Sequence, residues 1–378
     1  MSTDIADILV VGSGILGLAT AYWAHSEGHT VHVLDSADRP VGSSIQNFGH
    51  ACFTGQSDAV QPLADLSREG WRRAAADAGF WARESGTWIP ARTEAELQVV
   101  REFAEHRGPE RVRLADPAKI AGALGAPSSA EGMIGGAHLP RDMRVNPREV
   151  APRIAEYLAA NGVRFTWNTR VLRAEDGVVE TTRGMYRGGR VIVCPGMELN
   201  QLFPEIAEKY EVRVCSLVMA LLERPSRIPE GLAVLTGTSL ARYDGFAAMP
   251  SVPALREELR DRHPELVDCI ANLMLTTIPG GIFMGDSHAY ALSPEPFIDE
   301  RLATLLQDEG AQLLGLRPEE RRVRQRWLGR YADSPTINLI VEHPDERTTV
   351  AVVASGIGMT LSFGLAKYIL DGRPVPAI

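Results

Sequence analysis

The first seventeen residues constrain the chain most. An apolar run, Ile8-Leu9-Val10-Val11, enters Gly12-Ser13-Gly14-Ile15-Leu16-Gly17 and then an apolar stretch of helical character. A buried strand that breaks at Gly-x-Gly-x-x-Gly and opens a helix is a dinucleotide-binding turn. Gly12 permits the tight turn, Gly14 lets the backbone approach a pyrophosphate, and Gly17 lets helix pack on strand. Phosphates then face unpaired N–H groups at the positive end of the helix dipole. The motif alone is weak, because any glycine-rich turn can match it, and its setting gives it weight. Thr30-Val31-His32-Val33-Leu34 reads as a second strand and ends on Asp35, eighteen residues after Gly17, with Ser36 next. A carboxylate there can bond the ribose hydroxyls of an adenosine.

The far end of the chain repeats the device. Thr349-Val350-Ala351-Val352-Val353 reads as a strand, Ala354-Ser355-Gly356-Ile357-Gly358-Met359-Thr360 as a glycine loop, and Leu361 to Leu370 as a helix. One such turn serves a nicotinamide enzyme. Two, at opposite ends of the chain, suit FAD, whose ring gains from a positive helix end. Between them, Arg39 to His50 is a small, polar loop with no helical or strand period. With these features the sequence resembles the D-amino-acid-oxidase-like FAD-dependent oxidoreductases, with glycine oxidase and sarcosine oxidase among their members. The resemblance covers essentially the whole chain. It includes Met143-Arg144-Val145-Asn146-Pro147, Asn161-Gly162-Val163, Thr169-Arg170-Val171, and Arg190-Val191-Ile192-Val193-Cys194-Pro195-Gly196. It implies an α/β chain: a Rossmann-like FAD-binding domain of the glutathione-reductase type with a second, mixed or antiparallel-sheet substrate domain.

The interleaving of segments predicts how those units share the chain. Residues 1–81, 141–210 and 326–378 form the discontinuous FAD-binding domain, and 82–140 with 211–325 the substrate domain. Strands are expected from Tyr210 to Leu222, Ser239 to Phe246 and Leu273 to Met284. Helices are expected at Thr93–Glu105, Pro147–Ala160, Pro253–Arg260 and Glu300–Leu314, where apolar residues recur at three- and four-residue spacing. Ligands of an open α/β sheet bind at its strand ends, so the catalytic cleft should lie where the second unit covers the flavin.

The balance of charge narrows the partners. The 378 residues carry a net charge of −9 and no basic stripe, against a nucleic-acid partner. The apolar run from Ile5 is interrupted by Asp7 and falls far short of a membrane span. Met1 to Asp4 is polar and acidic, unlike a signal peptide, and the expected location is cytoplasmic. Cys52, Cys194, Cys215 and Cys269 have no metal-ligand spacing and read as reduced thiols, with no metal site.

Candidate cofactor contacts are Gly12, Ser13, Gly14, Ile15, Leu16, Gly17, Asp35 and Ser36 in the first turn. The loop adds Ser43, Ser44, Asn47, Phe48, Gly49 and His50. The later landmarks add Val171, Cys194, Gly196, Gly356, Gly358, Met359 and Thr360. Some relatives attach the flavin to a histidine in a Trp-His-Ala sequence of this loop, and here Phe48-Gly49-His50-Ala51 is close but offset. His50 is therefore a covalent attachment point, a non-covalent contact or a structural histidine. Two clusters, Arg242-Tyr243-Asp244-Gly245-Phe246 and Gly285-Asp286-Ser287-His288-Ala289-Tyr290, bring groups able to clamp a small anion. Surface pairing of Arg242 and turn capping by Asp286-Ser287 are the plain alternatives. Trp327-Leu328-Gly329-Arg330-Tyr331 looks like the segment that re-enters the flavin site. Substrate contacts are thus expected from Arg242, Tyr243, His288, Arg330, Tyr331 and Gln46, with His288, Tyr290 and His50 as catalytic candidates.

The implied chemistry is oxidation of a small primary or secondary amine by hydride transfer to flavin, the imine being hydrolysed to a carbonyl product. The nitrogen must be neutral to react, since its lone pair stabilises the developing iminium. Ser44-Ile45-Gln46-Asn47-Phe48-Gly49, Gly285-Asp286-Ser287-His288 and Gly358 to Ala366 resemble the branch associated with phosphonate metabolism. That points to 2-aminoethylphosphonate or its N-methyl form, giving phosphonoacetaldehyde. Gln46 departs from the arginine often found there. Glycine, sarcosine or a D-amino acid is the alternative substrate. A flavoprotein subunit without its own turnover and a nicotinamide dehydrogenase are the alternatives of other classes. Molecular oxygen is the expected acceptor, giving hydrogen peroxide. Yet none of the three lysines, Lys119, Lys209 and Lys367, lies in a substrate-facing segment, so a protonated His50 or His288 would have to supply positive charge.

Overall fold

The computed structural model describes residues 5–126 and 131–378. Met1 to Asp4, on which the signal-peptide reading rests, lie outside them. Strand Ala6–Val11 runs parallel to Val31–Leu34 on one side and to Gly184–Val193 on the other. Arg164–Thr166 extends this row beyond Val31–Leu34, and Thr348–Val353 extends it beyond Gly184–Val193, again in parallel. Leu339–Glu342 pairs antiparallel with Thr348–Val353, and Val171–Glu175 with Val178–Thr181 adds an antiparallel ribbon. Leu9, Val10, Val33, Val191 and Val193 are fully buried, as expected of parallel strands covered on both faces.

Three helices fix one face of this sheet. Ile15–Ser26 and Gln61–Ala78 both pack on the last helix, Gly358–Leu370. The approach requires glycine: a Cβ on Gly364 would sit 2.0 Å from the Leu63 carbonyl oxygen. Indole N–H groups of Trp23 and Trp71 donate to the carbonyls of Phe363 (2.9 Å) and Met359 (2.8 Å). The last helix is thereby held with its N-terminus at the ends of the parallel strands.

A second sheet has nine strands, in which Arg213–Leu222 pairs antiparallel with Gly281–Gly285, Ala289–Ala291 and Val323–Asp333. It continues through Met274–Ile278, Ala233–Leu235, Thr87–Ala91, Gly135–Leu139 and Arg113–Ala115. Among the described residues only Thr87–Ala91 with Ala233–Leu235 is a parallel pair in it, so the sheet is mixed. Val323–Asp333 belongs to this sheet, although the sequence reading assigned residues from 326 to the other unit. A small third sheet joins His50–Ala51 and Ala82–Arg83 to Met143–Val145.

Two expected strands take other forms. Ser239 to Phe246 folds as two short helices, Gly237–Leu240 and Asp244–Ala247. Thr236 and Ser239 cap the first reciprocally, and burial falls on Gly237 to Leu240 and then on Gly245-Phe246 instead of alternating. Leu273 to Met284 is a hairpin, turned at Pro279-Gly280, where Gly280 has φ +86°. The helices lie within two or three residues of expectation: Glu94–Arg107, Pro147–Ala160, Val252–Arg262 and Glu300–Leu313. Among the described residues no helix is long and apolar enough to cross a membrane.

Candidate cofactor groove and substrate pocket

A groove of about 380 Å³ runs along the C-terminal ends of the parallel strands. Gly12 (φ +98°) makes the turn, and a Cβ there would lie 2.5 Å from the Cys194 carbonyl oxygen. A Cβ on Gly17 would lie 2.0 Å from the Gly12 carbonyl oxygen. A Cβ on Gly14 would meet only Ser44 Oγ, at 3.3 Å, so its absence leaves open space over the helix N-terminus. Asp35 Oδ2 accepts from the Ser13 amide and hydroxyl (2.6 Å each), while Oδ1 accepts from the Ala37 amide (2.8 Å). The strand-end carboxylate is therefore locked to the glycine turn. Asn47 organises the polar loop: its amide donates to Ser43 and Ser44 carbonyls, and its carbonyl accepts from the Gly49 amide.

Most of the expected cofactor contacts meet in this groove. Gly12, Gly14, Ile15, Leu16, Gly17, Asp35 and Ser36 line one stretch of it. Ser43, Ser44, Asn47, Val171, Cys194, Gly196, Gly356, Gly358 and Met359 line the rest. Three do not. Ser13 is buried and serves Asp35; Gly49 packs against the Val145 backbone; Thr360 Oγ1 accepts from the Cys52 amide (3.2 Å). Open space over glycines, a helix N-terminus whose N-cap is Gly14 and whose first amide is held only by Ser44 Oγ (2.8 Å), and a strand-end carboxylate fit the pyrophosphate and ribose of FAD.

A pocket of about 260 Å³ adjoins the groove and shares Asn47, Leu217, Tyr331, Gly356 and Met359 with it. Phe48, His50, Arg242, Tyr243, His288 and Tyr331 all line it, so residues far apart in sequence converge as expected. Arg242 Nη2 donates to Tyr290 Oη (3.3 Å). Tyr290 stands behind that guanidinium, not on the pocket wall, with Arg213 4.1 Å over its ring and paired to Asp333 (2.8 Å). Arg330 and Gln46 depart from expectation: both line the groove. The Arg330 amide donates to Gln46 Oε1 (3.1 Å), its carbonyl accepts from Ser43 Oγ (2.5 Å), and its guanidinium donates to the Glu295 carbonyl (3.3 Å).

Burial sets the protonation states. It pulls His288 down to about 3, assisted by Arg242, so the ring is neutral. Nδ1 then donates to the Ile270 carbonyl (2.9 Å), which leaves Nε2 as an acceptor. His50 is also held well below its ordinary value by burial and then by Arg144. Its Nε2 bonds Thr87 Oγ1 (2.7 Å), which donates to Asp142 (2.7 Å), and Nδ1 has no partner. Burial raises the hydroxyls of Tyr243 and Tyr331 well above 10, so both are neutral donors.

Sequence reasoning missed three features. Asp286, which belonged to an expected anion-clamping cluster but was given no role of its own beyond the alternative of turn capping, is 4% exposed on the pocket wall, and burial raises it to about 7 although Arg242 opposes the rise. Arg144 is fully buried and holds the carbonyls of Gly49 (2.6 Å) and Phe48 (2.7 Å). It stood in view in Met143-Arg144-Val145-Asn146-Pro147, where an arginine between apolar residues was the signal. His50, Cys52 and Asp142 also lie within 4.8 Å of one another. Thr87 already bridges His50 to Asp142, and burial pushes the Cys52 thiol well up, so the cluster is a hydrogen-bonded knot.

Known proteins share this architecture. D-amino acid dehydrogenase of Vibrio atlanticus (strain LGP32) is 21% identical over 282 residues, covering 57% of this chain and 68% of that protein. L-proline dehydrogenase from P. horikoshii superposes with a TM-score of 0.80 at 17% identity, covering 99% of this chain and 96% of the other. Glycine oxidase from Bacillus cereus ATCC 14579 gives 0.76 at 15% identity, covering 98% and 96%. Residues 7–371 match the family of FAD dependent oxidoreductases (DAO), and with the double glycine turn and the groove between them the chain belongs to that family, with FAD as its cofactor.

Proposed function

We propose that the protein oxidises a small amine carrying one anionic group, an amino acid first. The observation that carries this reading is the Arg242 guanidinium, on the wall of a pocket that opens into the FAD groove and bonded there only to a tyrosine hydroxyl. The Gly12–Gly17 turn, Asp35 and the N-terminus of Gly358–Leu370 would hold FAD, which supplies the two-electron acceptor. Arg242 takes the anionic group through its planar fork, which fixes the substrate's orientation as well as its affinity. Tyr243 and Tyr331 donate from neutral hydroxyls, and His288 Nε2 accepts. The substrate's α-carbon then faces the opening between pocket and groove, beside Asn47, Leu217 and Gly356. Loss of hydride from that carbon of the neutral amine leaves an iminium ion, which water hydrolyses to the carbonyl product and ammonia, or to an amine where the nitrogen is substituted.

The pocket's charge ranks the substrates. A phosphonate is close to doubly charged at neutral pH and was expected to meet Arg242, His288 and Arg330. His288 is neutral and Arg330 lies in the groove, so Arg242 faces it alone, beside Asp244, Asp286 and Asp333. A carboxylate suits one guanidinium better. The names of the similar proteins, a D-amino acid dehydrogenase, an L-proline dehydrogenase and a glycine oxidase, support the same order. The acceptor is weighed likewise. Among the described residues no lysine lines either cavity, and His50 and His288 are neutral, so neither a lysine nor a protonated histidine supplies the positive charge that would speed oxygen, and Arg242 is engaged by the substrate's anion. We place an acceptor other than oxygen first.

The test is anaerobic bleaching of the bound flavin by glycine, sarcosine, D-alanine, L-proline, 2-aminoethylphosphonate and its N-methyl form. Fastest bleaching by a carboxylate amine supports the reading, and fastest bleaching by a phosphonate restores the other order. A flavin that no amine bleaches marks a subunit without turnover. Turnover with a dye and little hydrogen peroxide supports the acceptor assignment; stoichiometric peroxide overturns it.

A further inference from the structure

Asp286 is the acid in the pocket that the fold leaves without work. Three carboxylates line the cavity. Asp333 is paired with Arg213 (2.8 Å), and Asp244 accepts from Asn338 Nδ2 (3.0 Å). Asp286 Oδ1 is buried with no hydrogen-bond partner. The nearest cationic candidate, His288 Nδ1, stands 3.8 Å away, and its hydrogen goes to the Ile270 carbonyl. The Asp286 carbonyl accepts from the Asn272 amide (3.1 Å), and the amides of Asn272 and of Asp286 itself pull on its carboxylate against the burial, yet Oδ1 keeps no hydrogen-bond partner. A buried polar group without a partner is unfavourable, and its persistence on the wall of a cavity points to a partner that arrives with the ligand.

We propose that Asp286 receives the amino group of the substrate and takes a proton from it. This rests on the amine reading above and deepens it. The incoming ammonium donates an N–H to the Asp286 carboxylate, opposite the Arg242 guanidinium that holds the substrate's anionic end. One proton moves from nitrogen to a carboxylate oxygen. The N–H bond breaks, its electron pair stays on nitrogen, an O–H bond forms, and no other bond changes. The nitrogen then has the lone pair that hydride loss from the α-carbon requires. A pocket with Arg242 and Asp286 on its wall also selects a zwitterion over a simple anion or a simple amine.

The surroundings suit the transfer. Among the described residues, Arg242, Tyr243, His288, Cys215, Cys269 and Tyr331 are the titratable groups close enough to Asp286 to feel its charge. His288 is neutral, the tyrosines and cysteines are raised, and Arg242 is charged throughout, so Asp286 is the group that changes charge near neutrality. It is ionised enough to accept a proton and basic enough to keep it.

Acetate and propionate test the pairing in the unaltered holoenzyme through the shift of the flavin spectrum on binding. Each anion lacks the ammonium, so it binds Arg242 comfortably only when Asp286 is protonated. Affinity should fall severalfold or more as pH rises from 6 to 9. A flat profile, or no binding at any pH, overturns the proposal. In Asp286→Asn the same anions should bind with no pH dependence across that range. Flavin reduction at pH 7 by the best amine should slow about a hundredfold or more in that variant. Its rate should rise toward the amine's own solution pKa, while Asp286→Glu restores part of the rate near neutrality. Wild-type rates and profile in Asp286→Asn overturn the assignment of Asp286 and leave the amine reading standing. A wild-type flavin that no amine bleaches overturns both.

Discussion

Arg242 is half-buried with a tyrosine hydroxyl as its partner, so substrate binding would pair a charge already partly withdrawn from water. Arg242→Ala should therefore cost about 2–4 kcal/mol in kcat/KM for the preferred amine, roughly thirty- to a thousandfold. Arg242→Lys should recover little, because an ammonium lacks the planar fork. Steady-state kinetics of both variants check this, and a lysine variant near wild type would sink the bidentate reading. Histidine protonation gives a second test. Burial lowers His288 to about 3, so above its ordinary value of about 6.5 the folded and unfolded states bind the same proton count. Below that pH only the unfolded chain takes the proton, and stability is lost as pH falls toward 3. His288→Asn, which keeps a donor for the Ile270 carbonyl, should flatten that loss by up to about 1.4 kcal/mol per pH unit in urea titrations between pH 6 and 4. An unchanged slope would show that His288 titrates normally. His50 lines the substrate pocket and not the groove, so we expect acid precipitation to release the flavin into the supernatant; colour retained in the pellet would mean a covalent bond. At this scale the convergence of Arg242, Tyr243 and His288 on one pocket was legible from two polar clusters set among apolar residues, although the first cluster lies in a turn between short helices and not on a strand. Asp286 was not, since nothing in Gly285-Asp286-Ser287 tells which way a strand end faces.

Elements were legible where one period dominates. The first strand, the glycine turn and the helix Pro147–Ala160 combine strong hydrophobic patterning with turn or capping residues, and the structure reproduces them. Ser239 to Phe246 has small and polar residues at both parities, so its short helices are decided by Thr236 capping and by Phe246 packing on Phe103, 4.2 Å between ring centroids. The sheet that Val323–Asp333 joins was not legible, because pairing partners far away in sequence, Arg213–Leu222, decide it. The turn and the last helix carry the element-scale tests. If Asp35 holds the ribose as proposed, Asp35→Ala removes that contact, and it also frees the Ser13 amide and hydroxyl. Loss of bonds to a charged group costs about 1.5–3 kcal/mol, roughly ten- to a hundredfold in FAD affinity. FAD titration of the apoprotein measures it, and unaltered affinity would remove Asp35 from the ribose site. Gly364→Ala forces a Cβ to within 2.0 Å of the Leu63 carbonyl oxygen, so the last helix must move away from Gln61–Ala78. The expected loss is about 1–3 kcal/mol, with weaker FAD retention because the same helix presents Gly358 and Met359 to the groove. Wild-type melting and FAD content in that variant would show that the interface adapts.

Across the whole molecule, the groove is built from parts of the chain that meet only in the folded state. Gly12 to Asn47, Thr169 to Leu202 and Arg330 to Ser362 each supply lining residues, and Arg330 to Ala332 belong to the second sheet. We therefore propose FAD as a tie between the two units, each built on one of the two large sheets, as well as a reactant. A ligand that binds only the folded state stabilises it by RT ln(1 + [L]/Kd), about 2.7 kcal/mol at a hundredfold excess over Kd. Unfolding entropy near 2.1 cal/mol/K per residue converts this into a rise of about 3 °C in Tm for a chain of this length. Each further tenfold of FAD should add somewhat under 2 °C. The apoprotein, melted across a series of FAD concentrations, should show one transition that climbs logarithmically. Asp35→Ala should trace the same curve displaced to ten- to a hundredfold higher FAD, which links the element-scale loss to the global one. Two transitions, of which FAD moves only one, would mean that the units unfold separately and that the groove does not couple them.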